Sequence, residues 1–183
     1  MLDEARFGLH TVVRHCWGLR GERVVRPFQQ RFEWEYLYGA IGVLDGEAVF
    51  CHMPTVTCET SWEFLRQIAK TQPDSHHVIL WDGAGFHQPP PLSEAGWADL
   101  SRVHTVKLPP YCPELNPTEK LWDALRDEIC NEAFPSLEAL RDALRPKLQG
   151  YWENLDRLTS LIGVNWLRQK ANNGFRVNLP VFN

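Results

Sequence analysis

The chain contains no run of eighteen apolar residues, so no membrane-spanning helix is expected. Its N-terminus lacks the basic-then-apolar pattern of a secretory signal, which places the expected location in the cytoplasm. The five cysteines (Cys16, Cys51, Cys58, Cys112 and Cys130) are odd in number and none are paired as CxxC, so neither a disulfide framework nor a zinc ribbon is indicated. They are expected to be reduced and mostly buried. There is no internal repeat and no low-complexity tract. With 44% hydrophobic and 23% charged residues, global disorder is excluded, and 183 residues suit a single domain over 1–183.

The formal net charge of −4 conceals a pattern. Residues 10–31 carry Arg14, Arg20, Arg23, Arg26 and Arg31 against Glu22, a local +4, and residues 157–183 carry another +4 through Arg157, Arg168, Lys170 and Arg176. The stretch 32–156 holds −11. An acidic centre between basic ends suits metal binding beside a polyanion; a solvated surface of mixed sign is the plainer account.

Apolar periodicity predicts the elements. Trp34 to Leu44 reads as a strand, Asp45-Gly46 as a hairpin turn and Ala48 to Met53 as the returning strand. Thr60 or Ser61 is expected to cap a helix running to about Lys70. The continuous apolar run His77 to Trp81 fits a strand buried on both faces. Pro89, Pro90 and Pro91 enforce an extended loop. Val103 to Leu108 reads as a further strand, and helices are expected from Pro117 to about Asn131, after a Ser136 cap, and from Leu158 to Ala171 with Gly174 as its stop. A hairpin followed by helical crossovers implies a mixed sheet with helices packed on it.

Five side chains suggest chemistry. Asp82 follows the buried run and is expected to be a poorly solvated carboxylate facing a crevice, since α/β sheets bind ligands beyond their strand ends; an Asp before Gly is also an ordinary turn. Gly83 and Gly85 would permit a sharp turn and close approach of a partner. Glu119 falls at the third helical position after Asn116 as N-cap and Pro117, a capping-box arrangement that explains it without catalysis. Asp3 and Glu4 are near-terminal acids of the kind usually solvated, and His87 beside prolines is ordinarily a loop hydrogen-bonder.

Read together, the blocks Leu2-Asp3-Glu4-Ala5-Arg6-Phe7-Gly8, Trp17-Gly18-Leu19-Arg20-Gly21, Trp81-Asp82-Gly83-Ala84-Gly85-Phe86-His87 and Leu108-Pro109-Pro110-Tyr111-Cys112-Pro113-Glu114-Leu115-Asn116-Pro117-Thr118-Glu119-Lys120-Leu121-Trp122 stand in an order that resembles the catalytic domain of DDE transposases of bacterial insertion sequences, relatives of the mariner group. The resemblance covers nearly the whole chain, loosely after about residue 135. It implies an α/β, ribonuclease-H-like fold: a mixed five-stranded sheet flanked by helices. It also implies that Asp3, Asp82 and Glu119 are the catalytic acidic triad, with 36 residues between the last two. Such a triad holds two Mg²⁺ ions, with Mn²⁺ as a substitute, and clamps a phosphodiester for cleavage and for joining of a 3′-hydroxyl to target DNA. Without metal, three clustered carboxylates should raise at least one pKa. His87 matches a family histidine and is expected near the metal site, positioning substrate.

On this resemblance the partners are DNA, as transposon ends and target, and a second copy of the chain. Arg14, Arg20, Arg23 and Arg26 are the expected backbone contacts, with His10, His15 and Trp17 between them. The helix-turn-helix region usual in the family is absent before Met1, so end recognition is expected from a separate N-terminal transposase segment. Strands have about five or six residues, and only two residues precede Asp3. Asp3 is therefore expected to be poorly fixed and activity weak. An inactive remnant that binds DNA or a partner transposase is the competing reading, and a nuclease that cuts without joining is a third.

Overall fold

Side chains alternate across a strand, and in β1 (Leu2–Gly8) both faces are put to use. Leu2 enters one apolar cluster, Ala5 and Phe7 the opposite one. A strand flanked on both sides must lie between layers. The computed structural model, which describes residues 1–43, 46–88, 100–163 and 169, shows this arrangement.

β1 pairs antiparallel with β2 (Trp34–Ile41), which pairs antiparallel with β3 (Ala48–Met53). After α1 (Cys58–Thr71), β4 (His77–Trp81) runs parallel to β5 (Val103–Lys107). α2 (Thr118–Glu128), α3 (Leu137–Trp152) and α4 (Leu155–Ile162) follow. The five expected strands are present and their directions are mixed. They form one ladder of three strands and one of two, with β1 beside β4 but no ladder between them among the described residues.

One core joins Phe7, Leu9 and Leu37 to Leu121, Trp122 and Leu125 of α2 and to Leu140 and Leu144 of α3. The other joins Leu2 and Tyr38 to Phe64 and Leu65 of α1 and to Ile79 and Trp81 of β4. The sheet is thus covered by α1 on one face and by α2 to α4 on the other. No helix among the described residues is long and apolar enough to cross a membrane.

Several expectations shift in detail. α1 starts earlier than predicted: Thr57 is its N-cap and forms a reciprocal capping box with Thr60, satisfying donors that Thr60 alone would leave open. α3 does begin at Ser136, whose hydroxyl accepts from the Ala139 N–H at 3.2 Å. α4 stops at Gly163 in the left-handed conformation (φ 58°); Gly174 lies outside the described residues, as do Asp45 and Pro89 to Pro91. None of the five cysteines is fully buried, and Cys16 is exposed. The predicted fraying of Asp3 is not found. The Met1 nitrogen donates to the Ile41 carbonyl and the Ile41 N–H to the Met1 carbonyl, both at 2.8 Å, so pairing with β2 extends past Asp3 on both sides.

Candidate active site

Asp3 stands opposite Gly39 in the β1–β2 register. A Cβ at position 39 would come within 2.5 Å of the Trp122 ring, so the glycine makes room for that indole against the sheet. Trp122, fully buried on α2, uses the room to donate its Nε1–H to Asp3 Oδ2 at 2.9 Å. Burial, then the charges of Glu119 and Glu4, push the Asp3 carboxyl up to about 7, against the Trp122 hydrogen bond that favours its ionised form. Gly39→Ala should therefore cost about 1–3 kcal/mol by overpacking and displace the indole, seen as a lower Tm and a changed tryptophan emission.

Asp82 leaves β4 directly after Trp81. Its side chain is 58% exposed, not poorly solvated, because the chain turns out of the core there. Oδ1 accepts from the Ala84 N–H at 2.9 Å and lies 2.8 Å from His87 Nδ1. Gly83 and Gly85 do not use left-handed backbone; a Cβ at either would meet nothing within 4 Å, so both stand beside open space.

Glu119 lies in the first turn of α2, half-buried. The predicted capping box does not form, since α2 begins at Thr118 after Pro117. Asn116 is drawn elsewhere: its Nδ2 donates to the Leu2 carbonyl at 3.0 Å, while its Oδ1 accepts from the Thr118 N–H at 3.3 Å. One buried amide thus ties the start of α2 to the strand bearing Asp3, and the Glu119 carboxylate is not consumed by a cap. Burial raises the Glu119 pKa; Arg126 opposes this, while Asp123 and Asp82 add to it. Asp3 and Glu119 are thus both raised, by burial first and by neighbouring acids second.

Asp3, Asp82 and Glu119 line one open cleft of about 370 Å³, closed on its far side by Leu108 to Pro113 and Asn116. Among the described residues, no group of three or more His, Cys, Asp or Glu side chains is placed to hold a metal ion. The donor chemistry nonetheless suits a hard divalent cation: three carboxylates from three elements, two of them raised in pKa by burial and then by neighbouring acids.

His87 does not face this cleft. Its side chain is 1% exposed, stacked on Trp81 with ring centroids 4.2 Å apart, and it meets the site expected for it only through Asp82, 2.8 Å away. Burial lowers its pKa, but the Glu4 carboxylate, aided by Asp82, outweighs that and raises it.

The basic segment between β1 and β2 has no regular secondary structure. Its base is latched to the α2–α3 connection, with the Gln29 side chain donating to the Leu9 and Phe134 carbonyls and Arg31 to that of Pro135. Arg14 is already ion-paired with Asp127 at 3.0 Å and lies 3.8 Å from Asp123. Arg20, Arg23 and Arg26 are exposed, as are His15 and Trp17, and His10 packs against Phe28 and Phe32. At the other end, Arg157 pairs with Glu128; Arg168, Lys170 and Arg176 lie outside the described residues.

Sequence reasoning gave no site role to Trp122 or Tyr111 and took Glu4 for a solvated acid, whereas the Glu4 side chain is only 5% exposed. Tyr111 lines the cleft, is 99% exposed and sits at φ 59°, a conformation side chains avoid. Its place in a proline-flanked run was the available signal.

A profile of the DDE superfamily endonuclease family matches residues 1–141. An uncharacterized protein, y4pE/y4sA of Sinorhizobium fredii, is 33% identical over 103 residues, covering 55% of this chain and 73% of that protein. Among solved structures, a pre-cleavage Mos1 transpososome superposes with a TM-score of 0.60 at 16% identity, over 88% of this chain and 53% of that one. The Mos1 mariner paired-end complex with Mn gives 0.58 at 17%, over 88% and 52%. The fold is therefore the ribonuclease-H-like one expected, and the chain spans about half the length of the solved transposase chains it matches.

Proposed function

The chain belongs to the DDE superfamily of endonucleases, and from that premise we propose that it is a transposase catalytic domain that cleaves DNA phosphodiester bonds and joins the 3′-hydroxyl ends to target DNA. The observation that carries this reading is the convergence of Asp3, Asp82 and Glu119, from a strand, a loop and a helix, on one cleft. Mos1 structures with Mn and with Mg support divalent metal as the cofactor.

Asp3, Asp82 and Glu119 would hold the ions, which supply Lewis-acid polarisation of the scissile phosphate and of the attacking hydroxyl. The chain's own work is positional. Trp122 fixes the orientation of Asp3, Asn116 docks the helix that carries Glu119, and Asp82 meets the cleft from an exposed turn. Bound cations would offset the repulsion among the three carboxylates. The exposed Arg20, Arg23 and Arg26 would meet phosphates outside the cleft. A second copy of the chain, acting on the other DNA end, and an upstream segment reading the terminal sequence complete the proposed assembly.

The competing reading, a remnant that binds DNA without cutting it, draws on the absence of a ready metal-holding group among the described residues. Incubation with Mn²⁺, supercoiled plasmid and a short duplex bearing a free 3′-hydroxyl separates the two. Nicked plasmid and covalent joints are expected. Nicks without joints would reduce the function to a nuclease, and DNA binding with neither product would establish the remnant.

Tyr111 belongs to the substrate side of this reading. An exposed ring in strained backbone is a platform for an unstacked base, worth about 1–3 kcal/mol per base. Tyr111→Gly should weaken single-stranded DNA binding in an anisotropy titration by roughly 5- to 100-fold while leaving Tm unchanged or higher, because glycine accepts the left-handed backbone.

A further inference from the structure

The Asp-Glu pair of β1 sends Asp3 to the cleft and Glu4 to the opposite face of the strand, where its side chain is only 5% exposed. A buried carboxylate is costly without a donor. Glu4 finds one in His87, whose Nε2 lies 3.2 and 3.3 Å from the two carboxylate oxygens. The other ring nitrogen, Nδ1, lies 2.8 Å from Asp82 Oδ1 and 3.1 Å from the Asp82 carbonyl. Both neighbours accept, so the ring serves as a donor at both ends. Trp81 stacks on one face at 11° to the ring plane, and Phe86 meets it edge-on at 4.6 Å, which fixes its rotation. Neither Glu4 nor His87 lines the cleft.

We propose that Glu4 and His87 form a positioning pair for Asp82. The pair runs through the core from the strand that bears the first cleft carboxylate to the loop that bears the second. Asp82 Oδ1 takes both the His87 Nδ1–H and the Ala84 N–H, so Oδ2 is the oxygen left for a ligand in the cleft. An exposed aspartate on a glycine-flanked turn would otherwise rotate freely, and holding one oxygen removes that freedom before binding. Asp3 and Asp82 are thereby indexed to each other through adjacent residues of β1. This inference rests on the cleft being the reaction centre proposed above, and it adds two residues that act on that centre from behind.

The test compares three variants, each checked for folding by circular dichroism. His87→Gln keeps a donor in reach of Glu4 but loses the one to Asp82. His87→Asn does the reverse, since its Nδ2 stands where the histidine Nδ1 stood. Glu4→Gln removes charge at nearly constant shape. Mn²⁺ titrated by calorimetry should bind about 10- to 100-fold more weakly to His87→Gln, as for other residues behind a ligand, with His87→Asn and Glu4→Gln intermediate. In the metal-free chain, the carboxyl ¹³C signal of Asp82 should move most in His87→Gln. Equal Mn²⁺ affinity in all folded variants, or an unmoved Asp82 signal, would overturn the proposal and leave the pair a core device that lowers only Tm. If the unaltered chain binds no Mn²⁺, the metal reading fails by itself, and the Asp82 signal decides the positioning pair alone.

Discussion

Asp82→Asn is expected to lower Mn²⁺-dependent nicking by about a thousandfold or more while leaving Tm within a few degrees of the parent. The two halves of that result have separate causes. The side chain is more exposed than buried, and both of its contacts, the Ala84 N–H and the His87 Nδ1–H, meet Oδ1, an oxygen the amide keeps. Asn can still accept the Ala84 N–H through its own Oδ1, so the turn keeps its local hydrogen bond. What is lost is the negative charge on the oxygen offered to the cleft, and a loss of about 4 kcal/mol in the transition state is about a thousandfold in rate. Glu119→Gln should behave alike for the same reason, since its carboxylate is not spent on a helix cap. Plasmid nicking under single-turnover conditions reads the effect. A rate within tenfold of the parent in either variant would remove that carboxylate from the reaction.

The sequence made β2 to β5 and the helices legible through their apolar periods, whereas β1 and the three acids stood out only through the motifs around them. It was less informative about what holds them. Asn116, Pro117 and Glu119 fit a capping box by spacing, yet the Asn116 amide reaches across to Leu2, a partner 114 residues away. The Glu4–His87 contact spans 83 residues and joins β1 to the loop after β4, so no local pattern announces it. Trp122 reads as one more apolar position on α2 until the register places Gly39 beneath it and Asp3 beside it. Tertiary pairing decides such contacts, and a single sequence records only the residues on which it acts.

The same separation between chemistry and support makes the metal-free chain more stable once Asp3 is neutralised. The Asp3 carboxyl titrates near 7 in the folded chain, above its ordinary value of 3.8, so the folded state holds this proton more tightly than the unfolded state. Its cost to folding is absent below pH ~4, grows as pH rises through the window between the two values, and is constant above ~7. Asp3→Asn removes the titration but keeps an oxygen to accept the Trp122 N–H. The variant should match the parent near pH 4 and exceed it at pH 8 by roughly 2–4 kcal/mol, an order-of-magnitude figure from about 1.4 kcal/mol per pKa unit with allowance for partial solvation. Urea unfolding at the two pH values measures the difference, and equal stability at pH 8 would mean that Asp3 carries no such strain. Added Mn²⁺ should reverse the ranking once it is in about a thousandfold excess over Kd, where an ion that binds only the folded parent stabilises it by about 4.1 kcal/mol. A chain more stable without this carboxylate, yet inactive without it, is the signature expected of a site whose charge is compensated only when it works.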